Sequence, residues 1–366
     1  MANVTVDFRR TGTSCWTNLG ETVECTGEYG ISVKEALERS QANYQVEMQP
    51  VVALTPELVE AMSNDTMINA GDLLSHVIKG AKANMRMDNN RTVGLVSDSY
   101  GLVQNETMFN FLGMLASGKD MGRDELPIVE TAGVIGGGER VFVTMRMPLP
   151  IRINTAKDDI VNMYLIAQNS FDGSGNLSVA ITPIRQWCSN QIAMIFKHAI
   201  HKLSFRHTRL VNERMDLLNK ETAEMAYKTL GMYDVYKSHF EAELEHLRNI
   251  RLSDKDCERI LAEVLLPEES FDVYKLNDYN INSEDISTRS KNLFYNALNA
   301  LHTGIGQQDN KELEGTGLYL INGLTTLYQN SIDWKDKEKK FLSITEGNVF
   351  NKVQKAHQLV LDYEVA

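Results

Sequence analysis

A chain of 366 residues, 43% hydrophobic and 23% charged, has the composition of an ordinary folded protein, long enough for two or three domains. Its formal net charge of −12 makes any basic feature stand against an acidic background. No apolar stretch approaches the length of a membrane span, and Cys15, Cys25, Cys188 and Cys257 form no CxxC pair, which argues against a zinc ribbon or a thioredoxin-like site. The opening MANVTVDFRRTGTS lacks the apolar centre of a secretory signal, so the expected location is the cytoplasm.

Three segments of different character follow one another: 1–90, mixed α/β; 91–252, a β-meander plus helix core; and 253–366, a helical C-terminal region. In the first, Tyr44–Leu54 alternates as a strand broken near Pro50. Thr55 then caps a helix with Pro56 at its first position. The run GDLLSHVIKGAKANM reads as helical up to about Gly80.

From Arg91 the chain turns β-rich. RTVGLVSDSYGLVQ carries turn residues at Ser97–Ser99, and ETMFNFLGMLASG is a short helix with Met108, Phe111, Leu112 and Leu115 on its apolar face. A hairpin around Gly136–Gly138 places Val141, Val143, Met145 and Met147 on one face. VNMYLIAQNS, the turn FDGSGN and LSVAITPIRQ continue the series, and an amphipathic helix follows. The fold class is α+β: an antiparallel β-meander packed on a helix, with a mainly helical C-terminal region.

That amphipathic helix belongs to the most unusual stretch, PIRQWCSNQIAMIFKHAIHKLSFRHTR. Between Arg185 and Arg209 it contains Lys197, His198, His201, Lys202, Arg206 and His207 but no Asp or Glu. Ile192, Ile195, Phe196, Ala199 and Leu203 form an apolar stripe at helical spacing, with the cations opposite. Most charge runs are solvated faces, and that alternative fits the same pattern. Ordinary exposed helices mix charge signs, however, and the missing acids point to an anion-binding face. Beyond it, helix is read from about Leu210 to Leu252, over Asp254–Leu265, and from about Glu284 to His302, Gly317 to Gln329 and Asn348 to Tyr363. The polar run LPEESFDVYKLNDYNINSED reads as a loop.

Several phrases carry a family resemblance: VGLVSDSYGLVQNETMFNFL, ETAGVIGGGERVFV, YLIAQNSFDGSGNLSVAITPIRQWCSNQ, SFRHT and GTGLYLINGLTTLY. Together, from Gly94 to Tyr328, they resemble a phage and plasmid-like protein family known as a domain of unknown function. Gln186-Trp187 stands where that family has Val-Val, and Phe171 where it often has His. A meander followed by a helix is also similar, at the level of fold alone, to the core of single-strand annealing proteins of recombination. That likeness implies a basic groove holding a DNA backbone in a ring of subunits.

The expectation is a protein of a phage or plasmid that binds and anneals single-stranded nucleic acid as a homo-oligomer, in the host cytoplasm if phage-encoded, with no cofactor, metal, catalytic residue or membrane. Arg185, Lys197, His198, His201, Lys202, Arg206, His207 and Arg209 would contact phosphates. Tyr100 and Trp187, with Phe205 a weaker candidate, would stack on bases, although each fits a core position as well. Two alternatives stay open: a nucleic-acid-processing enzyme using His198, His201 and His207 as acid–base groups, and a protein that binds a host factor. The histidines lack a neighbouring acid to complete a metal site. Gly136–Gly138 is not part of a phosphate loop, and Asp172–Gly175 lacks the ligand spacing of a calcium loop; both read as turns.

Overall fold

The computed structural model describes residues 4–7, 21–25, 32–64, 67–117, 128–146, 151–153, 159–185, 203–211, 213, 238–303, 313–335, 339–340, 343–344 and 347–363. Their buried side chains form one connected core. An eight-stranded sheet contains β1 (Val4–Asp7), β2 (Glu21–Cys25), β6 (Ile128–Ile135), β7 (Arg140–Arg146), β8 (Ile151–Ile153), β9 (Asp159–Ser170), β10 (Leu177–Arg185) and β11 (Leu203–Phe205). Its order is β11-β10-β9-β7-β6-β1-β2, with β8 on β9. All pairs are antiparallel except β1 with β2. The meander is therefore present, in the order the alternating runs dictate.

A second sheet departs from expectation. β3 (Val46–Val52), β4 (Val77–Arg86) and β5 (Thr92–Ser97) pair antiparallel in that order. The run read as helical up to Gly80 is helical only over Ala70–Ser75; Val77 onward is strand. Small and polar side chains hide its alternation, and a central position between β3 and β5 decides the conformation. β5 thus belongs to this sheet and not to the meander, and its pairing with β4 crosses residue 90. Pro50 stays in its strand, and the register slips between it and Val52.

Of the helix expected to cover the meander, 190–203, residues 190–202 lie outside the described residues, and its last residue, Leu203, is strand, the first residue of β11. Among those described, α1 (Val33–Arg39) packs on β6 and α4 (Asn105–Ser117) on β9. Ala36, Leu37, Met108, Phe111 and Leu112 supply their buried faces. Val141, Val143 and Met145 are buried, but so are Phe142 and Thr144, so β7 is covered on both sides.

Two short helices, α2 (Pro56–Ser63) and α3 (Ala70–Ser75), join β3 to β4. As expected, the Thr55 hydroxyl accepts the Leu58 N–H at 3.3 Å, with Pro56 in the first turn.

The C-terminal half is helical: residues 238–249, then α5 (Asp254–Leu265), α6 (Glu268–Leu276), α7 (Thr288–Thr303), α8 (Gly317–Thr326), which runs into a π-turn (Leu327–Ser331), and α9 (Asn348–Tyr363). Ser253 and Asp256 form a reciprocal cap on α5. The stretch 266–285, read as a loop, is a correction. It contains α6, whose Tyr274 is buried against Phe294, because one large aromatic anchors a helix too short for a clear periodic signal. Phe294, Ala297 and Leu301 are buried as the apolar stripe of α7 requires.

Candidate nucleic-acid interface

Two glycine turns stitch the sheets together. Gly136, Gly137 and Gly138 all have positive φ, the left-handed region that side chains rarely adopt. Three consecutive carbonyls are thereby turned toward the second sheet. Arg91 donates to Gly136 O at 3.1 Å, Arg86 to Gly137 O at 2.8 Å and the Tyr44 hydroxyl to Gly138 O at 2.9 Å. Arg86 also lies over the Tyr44 ring at 3.8 Å and donates twice to Asp88, at 3.0 and 2.7 Å. Those hydrogen bonds lower the Asp88 carboxyl's pKa, and burial pushes the Tyr44 hydroxyl up to about 12. Asn84 completes the seam by donating to Phe171 O at 2.7 Å.

Three of the phrases that carry the family resemblance, those containing Tyr100, Asn169 and His207, converge at an adjoining corner. Tyr100 forms a β-bridge with Thr208 and donates its hydroxyl to Ser170 O at 2.6 Å. His207 stacks on the Tyr100 ring, with centroids 4.7 Å apart and planes 12° apart. Asn169 donates to Val103 O at 2.9 Å and to the Asn105 side chain at 3.2 Å. Gly101 is required here because a Cβ would sit 1.8 Å from Thr208 O. Residues far apart in sequence are thus fixed to one another by buried hydrogen bonds.

Asp172 organises the polar side of the corner. Its Oδ1 accepts from the Ser170 hydroxyl at 2.5 Å and from the Ser174 N–H at 2.9 Å, and the Ser174 hydroxyl binds it too. Arg140 lies 3.5 Å from Oδ2 and donates to the Ser174 hydroxyl at 2.5 Å. Burial opposes ionisation of Asp172, but the hydrogen bonds from Ser170 and Ser174 and the Arg140 charge outweigh it, holding the carboxyl below its usual range. Burial pushes His207 the other way for a base, below the usual imidazole value, against the opposing pull of Gly101 and Asp172. His207 Nδ1 is 3.0 Å from Gly101 O. A carbonyl only accepts, so Nδ1 carries the proton, and the Nε2 lone pair is buried without a partner.

Of the residues singled out from sequence, Trp187, Lys197, His198, His201 and Lys202 lie outside the described residues. Arg206 and Arg209 are exposed just beyond the edge strand β11. Arg206 makes no ion pair with a described residue, and Arg209 reaches Asp98 O at 3.5 Å. Arg185 is not beside them. It ends β10 opposite Val161, whereas Arg206 follows Phe205, which pairs with Leu177 at the other end of the same strand. The separation is roughly 30 Å at about 3.3 Å per residue. Tyr100 is 9% exposed, with one ring face taken by His207, so its ring serves the packing of the corner. Phe205 is half-buried against the core.

The Asp172–Arg140–Ser174 network and the Asn105–Asn169 pair escaped sequence reasoning. Their only signal was that FDGSGN and VQN stood among the family phrases. A pocket lined by Arg140, Gln168, Ser170 and Asn176 has a free volume of about 10 Å³, room for one water and not for a metabolite. Among the described residues no three His, Cys, Asp or Glu side chains are grouped to hold a metal, and no helix is long and apolar enough to cross a membrane.

The profile of a family described as "Domain of unknown function (DUF932)" matches residues 92–345. Neither the curated proteins nor the solved structures yield a match to this chain.

Proposed function

The chain belongs to that family of domains of unknown function, whose profile spans well over half of it, and we propose that it is a phage or plasmid protein that binds single-stranded nucleic acid and promotes annealing in recombination or replication, acting as a homo-oligomer. One observation carries this reading. Among the described strands β11 ends the large sheet, and Arg206 and Arg209 follow it, exposed to solvent, at the end of a stretch without Asp or Glu between Arg185 and Arg209. Exposed arginines next to a sheet strand suit phosphate contacts, because their guanidinium donors can reach phosphate oxygens. The roughly 30 Å from Arg185 to Arg206 is the scale of a few extended nucleotides, as in other single-strand sites. Lys197, His198, His201 and Lys202 extend the same contact in this proposal and Trp187 supplies the stacking surface, whereas His207 is turned into the Tyr100 corner.

The test is fluorescence anisotropy with single-stranded and duplex DNA and RNA at several salt concentrations. Several phosphate contacts demand a steep linear fall of log affinity with log salt. Flat salt dependence, or equal affinity for blunt duplex, would overturn the proposal.

A second reading, a nucleic-acid-processing enzyme, has one observation in its favour: the unpartnered Nε2 of a neutral His207. Nuclease activity with divalent ions that disappears in His207→Gln, while binding persists, would establish it over the first.

A further inference from the structure

The most anomalous surface is on α2 and α3. α2 buries only Leu58, and α3 buries no residue at all. Isolated helices shorter than about 12–15 residues are marginal in water, so elements of this length are held by packing. Instead they turn large apolar side chains outward: on the helices Val59 is 48% exposed, Met62 57%, Leu73 37% and Leu74 69%, and Met67, in the link between them, is 96% exposed. Single exposed apolar residues are normal, but this many within one segment of fewer than 20 residues are not.

Charge decides what covers it. From Leu54 to Val77 the sequence contains Glu57, Glu60, Asp65 and Asp72 and no Lys or Arg. Glu57, Glu60 and Asp72 are exposed beside the apolar side chains. A second copy of this face would set carboxylates against carboxylates. Nucleic acid and anionic bilayers are repelled in the same way. We propose that the α2–α3 face docks a cationic amphipathic helix of a partner protein, its apolar stripe on Met62, Met67 and Leu74 and its Lys or Arg flanks on Glu57, Glu60 and Asp72. Helix-on-groove recognition uses this pairing of apolar anchors with a charged rim. Unbranched methionines suit it because they adapt to irregular partner surfaces. The proposal uses none of the basic residues, so either proposal can fail without the other.

The probe is a synthetic peptide of about 18 residues, long enough to fold on contact, with Leu at i, i+3, i+4 and i+7 and Lys elsewhere. One control keeps the Leu stripe and replaces Lys by Glu; another keeps Lys and replaces Leu by Ser. Binding to the full chain is read by fluorescence anisotropy at physiological salt. The Leu/Lys peptide should bind at least about tenfold more tightly than either control. Met62→Ser/Leu74→Ser should weaken it about tenfold or more, with melting temperature and single-stranded DNA affinity unchanged. Glu57→Lys/Glu60→Lys/Asp72→Lys should reverse the preference toward the Leu/Glu peptide, a gain that misfolding cannot produce. The proposal is overturned if neither variant changes Leu/Lys peptide binding, or if the Ser-for-Leu peptide binds as well. It is equally overturned if sedimentation shows the chain dimerising through this face and Met62→Ser/Leu74→Ser dissociating the dimer, which would make a second copy the occupant.

Discussion

Helix α8 and helix α3 make an instructive pair. GLYLINGLTT and AGDLLS are both rich in Leu and Gly, and both are capped at the start by a polar side chain, Thr316 and Asn69. Yet every residue of Gly317–Thr326 is buried, and none of Ala70–Ser75 is. α8 runs through the middle of the helical half. Gly317 lies so close to Val360 and Leu247, and Gly323 to Leu301, that a Cβ at either position would collide. The contrast separates two uses of apolar side chains: one set holds the fold together, and the other is left available to a partner. Substitutions break the comparison cleanly, because only one set should register in stability.

The largest effect is expected in α8. Leu320, fully buried, should lose roughly 3 kcal/mol on Leu320→Ala, through lost transfer energy plus a cavity. Leu74→Ala on α3 should stay within about 0.5 kcal/mol. Urea denaturation of both variants reads the difference; equal losses would mean that α3 is part of the fold's support.

Next comes the seam between the sheets. Arg86→Met keeps the stem but removes the donors to Gly137 O and Asp88 and the charge over Tyr44. A buried carbonyl left unpaired and a broken ion pair should together cost about 2–3 kcal/mol by the same denaturation. The equivalent change at exposed Arg206 should cost almost nothing.

How much of this was legible follows from how local each signal is. The Thr55–Pro56 start, the capped helix Asp254–Leu265 and the long helix Asn348–Tyr363 are written in neighbouring residues, and they match. So is the meander, in which β6 joins β7 and β9 joins β10 through short turns. β4 was missed because VIKGAKANMR becomes a strand only by pairing on both sides. The buried anchor Tyr274 gives no local signal because its partner Phe294 is supplied by another helix. The basic residues Arg206 and Arg209 were visible as composition. Their place beyond an edge strand, about 30 Å from Arg185, depends on register, which no local pattern reveals.

A smaller, pH-dependent effect should come from the corner. Burial holds His207 below its unfolded value of about 6.5, so the unfolded state binds its proton more readily. The stability this group contributes is therefore complete above about pH 6.5 and is lost as pH falls through the lower folded value. His207→Phe keeps a ring on Tyr100 but leaves Gly101 O without its donor. The variant should be about 1 kcal/mol less stable at pH 7.5 and should show a shallower decline in the melting temperature between about pH 7 and 5. A decline as steep as the parent's would mean that His207 is not held neutral. Asp172 acts in a different window: its lowered carboxyl contributes above the usual carboxylate pKa of about 4, and that contribution is lost only as pH falls below it.

The smallest effect on stability should accompany the clearest effect on binding. Arg206 and Arg209 are exposed; one makes no ion pair with a described residue, and the other reaches only a carbonyl, at 3.5 Å. Replacing both by Ala should move stability by no more than about 0.5 kcal/mol each. If each holds one phosphate, the double variant should bind single-stranded DNA more weakly at every sequence tested, with the salt slope lower by about two, one unit per lost contact. Leu74→Ser on α3 serves as the control, since it should leave both affinity and slope untouched. Weaker binding with an unchanged slope would mean that the arginines shape the edge without touching phosphate. Unchanged affinity and slope would reduce them to solvated charges, and the nucleic-acid reading would then have to rest on the stretch from Gln186 to Lys202 alone.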